Sequence, residues 1–424
     1  MDSTTNLIIG AGITGLSFTA SCVNEDYIII EKENHPGGLC NTIYKDGFIW
    51  DYSGHFLHFK ESDIEKLIIS NLGPDGIIKR QKKTQIYYND QTIDYPFQMN
   101  IHQLNKPEFI DCLYDLYVTK DNLEKPSSFK EMIISRYGNS ISNKFLIPYN
   151  EKLYACDLDS LDKDALGRFF PHADVDEIIR NIKNEKNSSY NSTYYYPING
   201  SLKIIELYLS KIKMDSIYYN ETVINIDIKN KIATTNKREI KYSNLISTIP
   251  LPYLLQASGI EYSDTILRAN KVLVFNFGFD SASNDKENHW IYFPDKKFIF
   301  YRVGYYNNIN GTDKMSLYVE IGLPDGETID IEYYRKCVIR DLGVAGVVTT
   351  QNITAEHNVI IDPAYVHISA DSENFKKKVF QSLNTSDIYS IGRYGAWKYC
   401  SIEDNIIESY ELAHTLNQIS NVSG

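Results

Sequence analysis

A glycine-rich hexapeptide, GAGITG at residues 10–15, constrains the fold of this chain more than any other feature of its sequence. A short apolar segment precedes it at residues 6–10, and residues 14–23 have the apolar spacing of a helix. A second continuous apolar segment follows at residues 27–31. This order predicts a strand, a helix and a second strand parallel to the first, which is the opening of an α/β fold.

The glycines of this hexapeptide suit a dinucleotide-binding turn. Gly10 permits the bend, Gly12 lets a pyrophosphate approach the backbone, and Gly15 lets the helix pack closely on the strand. Glu31 ends the second predicted strand, where a carboxylate is placed to accept hydrogen bonds from a ribose. The alternative is a tight turn that binds no ligand. Agreement between strand, helix, second strand and acidic residue favours a Rossmann-like dinucleotide-binding unit.

Composition limits the classes of ligand and partner. The chain has 424 residues and a formal net charge of -12, so its overall field repels nucleic acids and anionic membranes. An anionic ligand must therefore be held by local cations. The 6 cysteines are scattered without a C-x-x-C pair, which predicts reduced thiols and no metal site. No apolar stretch reaches the roughly 20 residues that span a bilayer, and we expect a cytoplasmic protein.

Beyond the N-terminal unit, the sequence divides into blocks of different periodicity. Apolar residues recur every three or four positions over about 103–184, which predicts helices. Alternating patterns predict strands over 215–248, around a turn at 229–231, and an antiparallel sheet over 270–322. The remaining predicted elements are a helix over 331–342, a strand near Val359, a strand over 388–391 and a closing amphipathic helix from about Asp404.

Two arginines stand among aromatic residues. Arg302 lies in the predicted strand FIFYRVGYY, where a charge is costly unless it contacts a ligand or pairs with a buried carboxylate, and both alternatives are open. Arg393 follows a predicted strand, between two glycines in IGRYGAWKY, where its side chain has room to face a phosphate. The alternative for Arg393 is an exposed surface arginine. A nucleotide-diphosphate sugar needs fixed cations together with stacking faces and hydrogen-bonding groups.

Several motifs also occur in the order found in one known family. They are GAGITG, EKENHPGGLCNT, DYSGHFLHF, DYPFQMNI, FLIPYNEKLYA, HWIYFPDKKFIFYR and GRYGAWKY. With them, most of the chain resembles the FAD-binding superfamily of amine oxidases, protoporphyrinogen oxidases and UDP-galactopyranose mutases. Within that superfamily it is most similar to the eukaryotic-type mutases. It departs from their pattern at Ile147, where arginine is common, and at Tyr154, where tryptophan is common.

The resemblance implies an FAD cofactor and a Rossmann-like fold with three domains. A discontinuous FAD-binding domain is expected over 1–85, 200–250 and 385–424. A helical domain with mobile loops is expected over 100–199, and an antiparallel-sheet substrate domain over 86–99 and 251–384. The implied cofactor-binding residues are Gly10, Gly12, Gly15, Glu31, Gly37, Gly38, Leu39, Gly54, His55, Gly392 and Asp404.

The resemblance also implies a UDP-sugar site. Arg302 and Arg393 are expected to clamp the diphosphate, and Arg168 to lie on a loop that closes over the substrate. His55 is expected to lie in a loop against the flavin, with a purely structural role as its alternative. These four residues form the implied catalytic set, and no metal is expected. The other implied substrate-binding residues are Tyr88, Phe145, Asn150, Tyr154, Asn191, Tyr292, Tyr365 and Tyr399.

The implied activity interconverts the pyranose and furanose forms of a UDP-sugar. Reduced FAD attacks the sugar through N5, an adduct forms, and no net electrons move. UDP-galactose is the expected substrate, giving galactofuranose for cell-surface glycans, and an N-acetylated, 6-deoxy or pentose sugar remains open. NAD(P)H is a candidate external reductant. The alternatives are an FAD-dependent amine or porphyrinogen oxidase, and a flavin-binding protein without catalysis. The sequence leaves the oligomeric state open.

Overall fold

The predicted strand–helix–strand opening is confirmed in the computed structural model, which describes residues 1–119, 125–170, 174–184 and 192–423. The strands are β1 Asp2–Ile9, β2 Tyr27–Ile30, β3 Thr42–Lys45, β4 Phe48–Asp51, β5 Ile77–Gln81, β6 Thr84–Tyr88, β7 Gln91–Asp94, β8 Thr193–Pro197, β9 Ile217–Tyr218, β10 Val223–Asp227, β11 Ile232–Thr235, β12 Glu239–Ser247, β13 Arg268–Ala269, β14 Lys271–Phe279, β15 Trp290–Tyr292, β16 Arg302–Tyr305, β17 Ser316–Leu323, β18 Ile353–Ile361, β19 Val366–His367 and β20 Ile388–Ser390.

Helices connect and cover these strands. They are α1 Ile13–Ala20, α2 Ser62–Leu72, α3 Lys106–Thr119, α4 Phe129–Ile141, α5 Ile147–Tyr154, α6 Val175–Asn184, α7 Leu202–Leu209, α8 Leu251–Ala257, α9 Tyr306–Asn310, α10 Ile331–Val344, α11 Ala370–Asn384, α12 Gly392–Gly395 and α13 Ile402–Ser423. None of the helices described here combines the length and apolar composition needed to cross a bilayer.

The first sheet is the Rossmann-like one. Within the described ranges it has seven strands, in the order β10-β11-β12-β1-β2-β9, and β20 lies beside the end of β12. β1 pairs in parallel with β2, to which the crossover helix α1 connects it, and also in parallel with β12. The predicted hairpin around residues 229–231 is confirmed as the antiparallel pair β10–β11.

The second sheet contains the predicted antiparallel block. Its order is β18-β14-β17-β16-β15-β6-β7, and its pairs are antiparallel except β15 with β6. The helices of the predicted helical segment pack on it. Tyr137 and Phe145 from that segment lie in the same hydrophobic cluster as Tyr292 and Tyr301 from the sheet. The helices and the sheet therefore share one core rather than forming separate cores, and the division into three domains stays a prediction.

Candidate functional site

The glycine hexapeptide forms the predicted tight turn between β1 and α1. Gly10 has a φ of +105°, and a Cβ atom there would lie 2.3 Å from Thr248 Oγ1. A Cβ atom on Gly15 would lie 2.1 Å from the carbonyl oxygen of Gly10. A side chain at Gly10 would meet the Thr248 side chain in an unfavourable backbone conformation, and one at Gly15 would meet backbone, so both positions favour glycine.

A second glycine pair packs beside this turn. The Gly37 N–H donates a hydrogen bond of 2.9 Å to the Ala11 carbonyl oxygen. A Cβ atom on Gly38 would lie 3.4 Å from Gly12 Cα, so the two backbones meet where neither carries a side chain. Gly38 is exposed, and the neighbouring Leu39 is half-buried. The two segments form one backbone cradle, which fits a ligand lying directly against the chain.

Glu31 braces this cradle from the end of β2. Its Oε2 atom accepts a hydrogen bond of 2.8 Å from the Ala11 N–H, and Oε1 accepts one of 2.9 Å from the Glu33 N–H. The buried carboxylate thus fixes the glycine turn through the backbone. Each oxygen retains a second lone pair, so the expected ribose contact stays a prediction.

The loop at Gly54 and His55 packs against the second sheet. A Cβ atom on Gly54 would lie 2.5 Å from the Tyr318 hydroxyl oxygen, so the loop approaches closely only with glycine there. His55 Nδ1 is buried without a hydrogen-bond partner among the described residues. Burial and the nearby Arg393 guanidinium lower the pKa of His55 to about 4, so its ring is neutral at physiological pH. An unpaired buried nitrogen is suited to contact a bound polar ligand.

The backbone at Arg393 is fixed against the first helix of the chain. Gly392 has a φ of +84°, and a Cβ atom there would lie 2.5 Å from Thr14 Oγ1. Asn405 Oδ1 accepts hydrogen bonds from the Thr14 hydroxyl, at 2.9 Å, and from the Arg393 N–H, at 2.8 Å. The short helix α12 therefore holds Arg393 in a defined position relative to the glycine turn.

The Arg393 guanidinium lies among aromatic rings. Its Cζ atom is 4.8 Å from the Tyr399 ring centroid and 5.5 Å from that of Tyr365. These two rings stack on each other with centroids 5.7 Å apart. Nη2 donates a hydrogen bond of 3.2 Å to the Ala364 carbonyl oxygen, and no carboxylate of the described residues pairs with this guanidinium. A partly buried cation without a counter-ion favours binding of an anion.

Arg302 has a carboxylate partner, so the second of its sequence-based alternatives is the one found. Nε and Nη2 donate to Glu320 at 2.5 and 2.7 Å, and the Ser53 hydroxyl donates to the same carboxylate. Burial disfavours the charge of Arg302, but Glu320 outweighs burial and raises the pKa of Arg302 well above its ordinary value. Glu320 is not among the residues predicted from the sequence, although a lone carboxylate in the apolar segment MSLYVEIG is as costly to bury unpaired as Arg302 in its own strand.

The two arginines act on the same neighbours. Burial and Arg393 lower the pKa of His55, and Arg302 adds to this effect. Burial and Tyr399 raise the pKa of Tyr365, and both guanidinium groups oppose that rise. The printed contacts agree with this, since Arg393 Cζ lies 5.5 Å from the Tyr365 ring centroid and Arg302 shares the Glu320 carboxylate with Ser53, two residues before His55. The structure thus brings the predicted diphosphate residues together beside the predicted flavin loop.

Three of the implied substrate-binding residues, Tyr88, Phe145 and Tyr292, lie in one aromatic cluster, which also contains Phe97 and Tyr149. The Tyr149 and Tyr292 ring centroids are 5.1 Å apart, and those of Phe145 and Tyr292 are 6.4 Å apart. Phe97 joins Phe145 to Tyr88, with centroids 5.5 and 5.7 Å away. Stacked and edge-on rings of this kind offer faces to a planar base.

Asn150 and Tyr154 lie on α5 beside this cluster. Asn150 Nδ2 donates a hydrogen bond of 2.6 Å to the Leu146 carbonyl oxygen, whereas its Oδ1 atom has no partner among the described residues. The Tyr154 hydroxyl is likewise buried and unpaired there, and its ring centroid is 5.8 Å from that of Tyr365. Tyr154 therefore lies beside the tyrosines around Arg393.

Asp404 pairs with Arg168, and its expected role in cofactor binding stays a prediction. Its carboxylate accepts hydrogen bonds from Arg168 Nη2 at 2.5 and 2.6 Å, and from the Ser401 N–H at 2.8 Å. Burial raises the pKa of Asp404, but these donors outweigh burial and lower it overall. The carboxylate thus anchors Arg168 to the start of α13. Asn191, the other loop residue, lies outside the described residues.

Comparison with known sequences supports the N-terminal unit. Residues 8–67 match the NAD(P)-binding Rossmann-like domain family. Among curated proteins, the chain is 28% identical over 291 residues to the coproporphyrinogen III oxidase of Staphylococcus aureus (strain NCTC 8325 / PS 47). That match covers 59% of this chain and 62% of the oxidase, so it extends over less than two thirds of the relative's length.

Comparison with solved structures concerns nearly the whole chain. A crystal structure of a reduced UDP-galactopyranose mutase superposes with a TM-score of 0.90 at 23% identity, covering 98% of this chain and 96% of that one. The cyclohexylamine oxidase of Brevibacterium oxydans IH-35A superposes with a TM-score of 0.69 at 10% identity, covering 99% of each chain. At these identities the likeness establishes a shared mixed α/β fold.

Proposed function

We propose that this chain is an FAD-dependent mutase that interconverts the pyranose and furanose forms of a UDP-sugar, with UDP-galactose as the first candidate. The observation that carries the proposal is the placement of two guanidinium groups beside predicted ligand residues: Arg393 lies against the Tyr365 and Tyr399 rings, and Arg302 is joined through Glu320 to Ser53 in the His55 loop. Two fixed cations between an aromatic cluster and a glycine cradle match a ligand with a base, a diphosphate and a sugar.

The residues present fit FAD in the cradle. Gly12 and Gly38 leave space that a Cβ atom would occupy, and the N-terminus of α1 favours a pyrophosphate there. His55 Nδ1, buried without a partner among the described residues, offers a hydrogen-bonding atom to a bound ligand. Bound and reduced, FAD would supply the nucleophile for the anomeric carbon, so the chain itself needs no nucleophilic side chain.

This chain's own residues position the substrate and stabilise its leaving group. Arg393, with no carboxylate partner in the described residues, attracts the diphosphate, and Arg302 contributes a second guanidinium. Both stabilise the negative charge that develops on UDP as the glycosidic bond breaks. The aromatic cluster holds the uracil, and the Tyr365 and Tyr399 hydroxyls donate to the phosphates. Water exclusion by packed rings protects the sugar from hydrolysis.

Turnover by the reduced protein tests the proposal. Purified protein is reduced with dithionite and incubated with UDP-galactofuranose, and the products are separated by HPLC. We expect UDP-galactopyranose from the reduced sample and none from the oxidised control. Conversion by the oxidised sample would contradict a reaction that needs reduced flavin. A parallel sample with NAD(P)H in place of dithionite tests the candidate reductant.

A porphyrinogen oxidase is the second candidate, because the curated match is to a coproporphyrinogen III oxidase. An oxidase consumes oxygen in proportion to substrate, whereas the mutase reaction has no net redox change. An oxygen electrode with coproporphyrinogen III as substrate separates the two. Oxygen uptake that survives replacement of Arg302 and Arg393 by alanine would favour the oxidase.

A further inference from the structure

Glu320 lies at the centre of a network that joins Arg302 to the His55 loop. Its side chain is 1% exposed, and its carboxylate accepts from Arg302 Nε at 2.5 Å and from Nη2 at 2.7 Å. The Ser53 hydroxyl donates to the Oε1 atom of the same carboxylate. Ser53 directly precedes Gly54 and His55 in the chain. One buried carboxylate therefore fixes the plane of the guanidinium and attaches it to this loop.

The contact is made along one edge of the guanidinium. Nε and Nη2 are occupied by Glu320, so the opposite corner, at Nη1, is the part left to meet another partner. Arg302 and Glu320 are also directly opposite each other on β16 and β17, which fixes the pair through the sheet register. Arg302 is thus oriented before any ligand arrives, which lowers the entropy cost of binding.

The two arginines differ in charge balance. Glu320 compensates Arg302, whereas the described contacts of Arg393 are a carbonyl oxygen and aromatic rings. The three side chains together therefore carry one net positive charge rather than two. A diphosphate bound there interacts favourably with both arginines and unfavourably with Glu320, because these interactions are only weakly screened away from solvent.

We infer that Glu320 is a resident counter-ion, which orients Arg302 and limits the strength with which the site holds a diphosphate. The inference rests on the proposed function, in which UDP must depart from the sugar and return within each turnover. A site with two uncompensated guanidinium groups binds UDP more tightly in all states, and uniform tightening slows release without accelerating the reaction. Glu320 is thus a positioning residue that keeps diphosphate binding reversible.

The first test removes the charge of Glu320 and keeps its shape. For the flavin-loaded Glu320→Gln protein we expect UDP and inorganic diphosphate to bind about tenfold more tightly by calorimetry. The affinity should also fall more steeply with added salt. In the turnover assay, kcat and KM should fall together because release is slower. A residue that only supports the fold would give weaker binding instead.

A matched control exists on the first sheet. Glu221 is buried and accepts hydrogen bonds from Arg238 Nε at 3.0 Å and from the Thr235 hydroxyl at 2.7 Å. Like Glu320, it is a buried carboxylate that pairs with one arginine and one hydroxyl, but it lies away from Arg302 and Arg393. Glu221→Gln should cost comparable thermal stability and leave both dissociation constants within about twofold of the original protein.

A second pair of variants covers the case in which Glu320→Gln fails to fold. Arg302→Gln alone leaves an uncompensated carboxylate at the site and should weaken UDP binding by about 100-fold. Arg302→Gln combined with Glu320→Gln also removes the repulsion between Glu320 and the diphosphate, and should recover about tenfold of that loss. A structural role predicts no recovery, since the double variant loses both partners of the network.

The outcomes separate the inference from the proposed function. Wild-type protein that binds UDP, together with a Glu320→Gln variant that binds it equally or less tightly, overturns the counter-ion role and leaves the mutase proposal standing. The same holds if the double variant binds no better than Arg302→Gln. Wild-type protein that binds neither UDP nor inorganic diphosphate overturns both. Tighter binding in Glu320→Gln and recovery in the double variant support the inference.

Discussion

At the level of single residues, the site depends on which buried charged side chains have a partner of opposite charge. Arg393 has no carboxylate partner among the described residues, and its guanidinium rests on Tyr365 and Tyr399. Burial disfavours its charge, yet the surrounding tyrosines outweigh burial and raise the pKa of Arg393, so it stays charged at any working pH. An anionic ligand is the partner that its surroundings lack.

Replacement of Arg393 tests this directly. Arg393→Ala should weaken UDP binding by about 100-fold, and Arg393→Lys by about tenfold, since lysine keeps the charge but loses the planar contact with the rings. The flavin absorbance should remain. Calorimetry and absorption spectra measure the two effects. Arg340→Ala, at a side chain that is 65% exposed, is the control and should change neither. Loss of the flavin together with UDP affinity would contradict the assignment.

The sequence indicates a buried Arg302 but not its partner. The cost of a charge in an apolar strand is a local property, and it limited Arg302 to a ligand or a carboxylate. Which carboxylate it meets depends on how β16 and β17 pair, and pairing register is set by the whole sheet. Asp404 illustrates the same limit, because its contact with Arg168 joins two segments that are distant in the chain.

At the scale of elements, the turn between β1 and α1 was the most predictable part of the molecule. Its glycines respond to steric constraints within a few residues, so the pattern in the sequence is sufficient to predict them. The second glycine pair and Glu31 were also expected there. Their contacts with Ala11 show how the cradle is held, since Glu31 accepts from the Ala11 N–H and Gly37 donates to the Ala11 carbonyl oxygen.

Two glycine-to-alanine variants test the packing of this element. Gly15→Ala places a methyl group 2.1 Å from the Gly10 carbonyl oxygen and should lower the free energy of unfolding by about 3 kcal/mol or more. Gly343→Ala lies within α10 with no heavy atom within 4 Å and should be neutral or stabilising by up to about 1 kcal/mol. Urea denaturation measures both. Equal effects would contradict the close packing.

Gly12→Ala separates folding from cofactor binding. The nearest heavy atom to its added methyl group is Gly38 Cα at 3.9 Å, so the protein itself has room for it. The methyl group would project into the cradle proposed for the pyrophosphate. We expect a near-normal melting temperature in the flavin-free protein and a flavin content reduced at least tenfold after purification. Full flavin content in this variant would place the cofactor elsewhere.

At the scale of the whole molecule, the site forms where separate segments of the chain meet. The cradle comes from the first sheet, Arg302 from the second, and Tyr154 from the helical segment between them. The periodicity of the sequence predicted these segments, but it did not predict how they are arranged, because the contacts that form the site join segments that are distant in the sequence. The family resemblance implied that Arg302 and Arg393 meet at one ligand, which stays a prediction.

Acid sensitivity is a property of the whole molecule, and His289 should contribute to it. His289 is buried, and its Nδ1 atom accepts a hydrogen bond of 3.3 Å from the Lys83 N–H, which requires the neutral ring. Burial and nearby cations lower the pKa of His289 to about 4, below the 6.5 of an exposed histidine. Above pH 6.5 the ring is neutral in both the folded and the unfolded state, so its burial does not make stability depend on pH. Between pH 6.5 and 4 only the unfolded state binds the proton, and the free energy of unfolding falls by about 3 kcal/mol.

His289→Gln should flatten this part of the stability profile. The variant is compared with the wild type by urea denaturation at several pH values from 7 to 4, and the difference between the two curves should shrink as pH falls. His414→Gln, at an exposed position on α13, is the control and should leave the slope unchanged. A slope that does not change in His289→Gln would contradict the buried neutral ring.

A crystal structure of the reduced, flavin-loaded protein with UDP tests most directly whether Arg302 and Arg393 bind one diphosphate beside the flavin. We expect one diphosphate within hydrogen-bonding distance of both the Arg302 and Arg393 guanidinium groups, with the uracil against the aromatic cluster and the flavin beside His55. A diphosphate bound away from either arginine, or a flavin on another face of the molecule, would contradict the account.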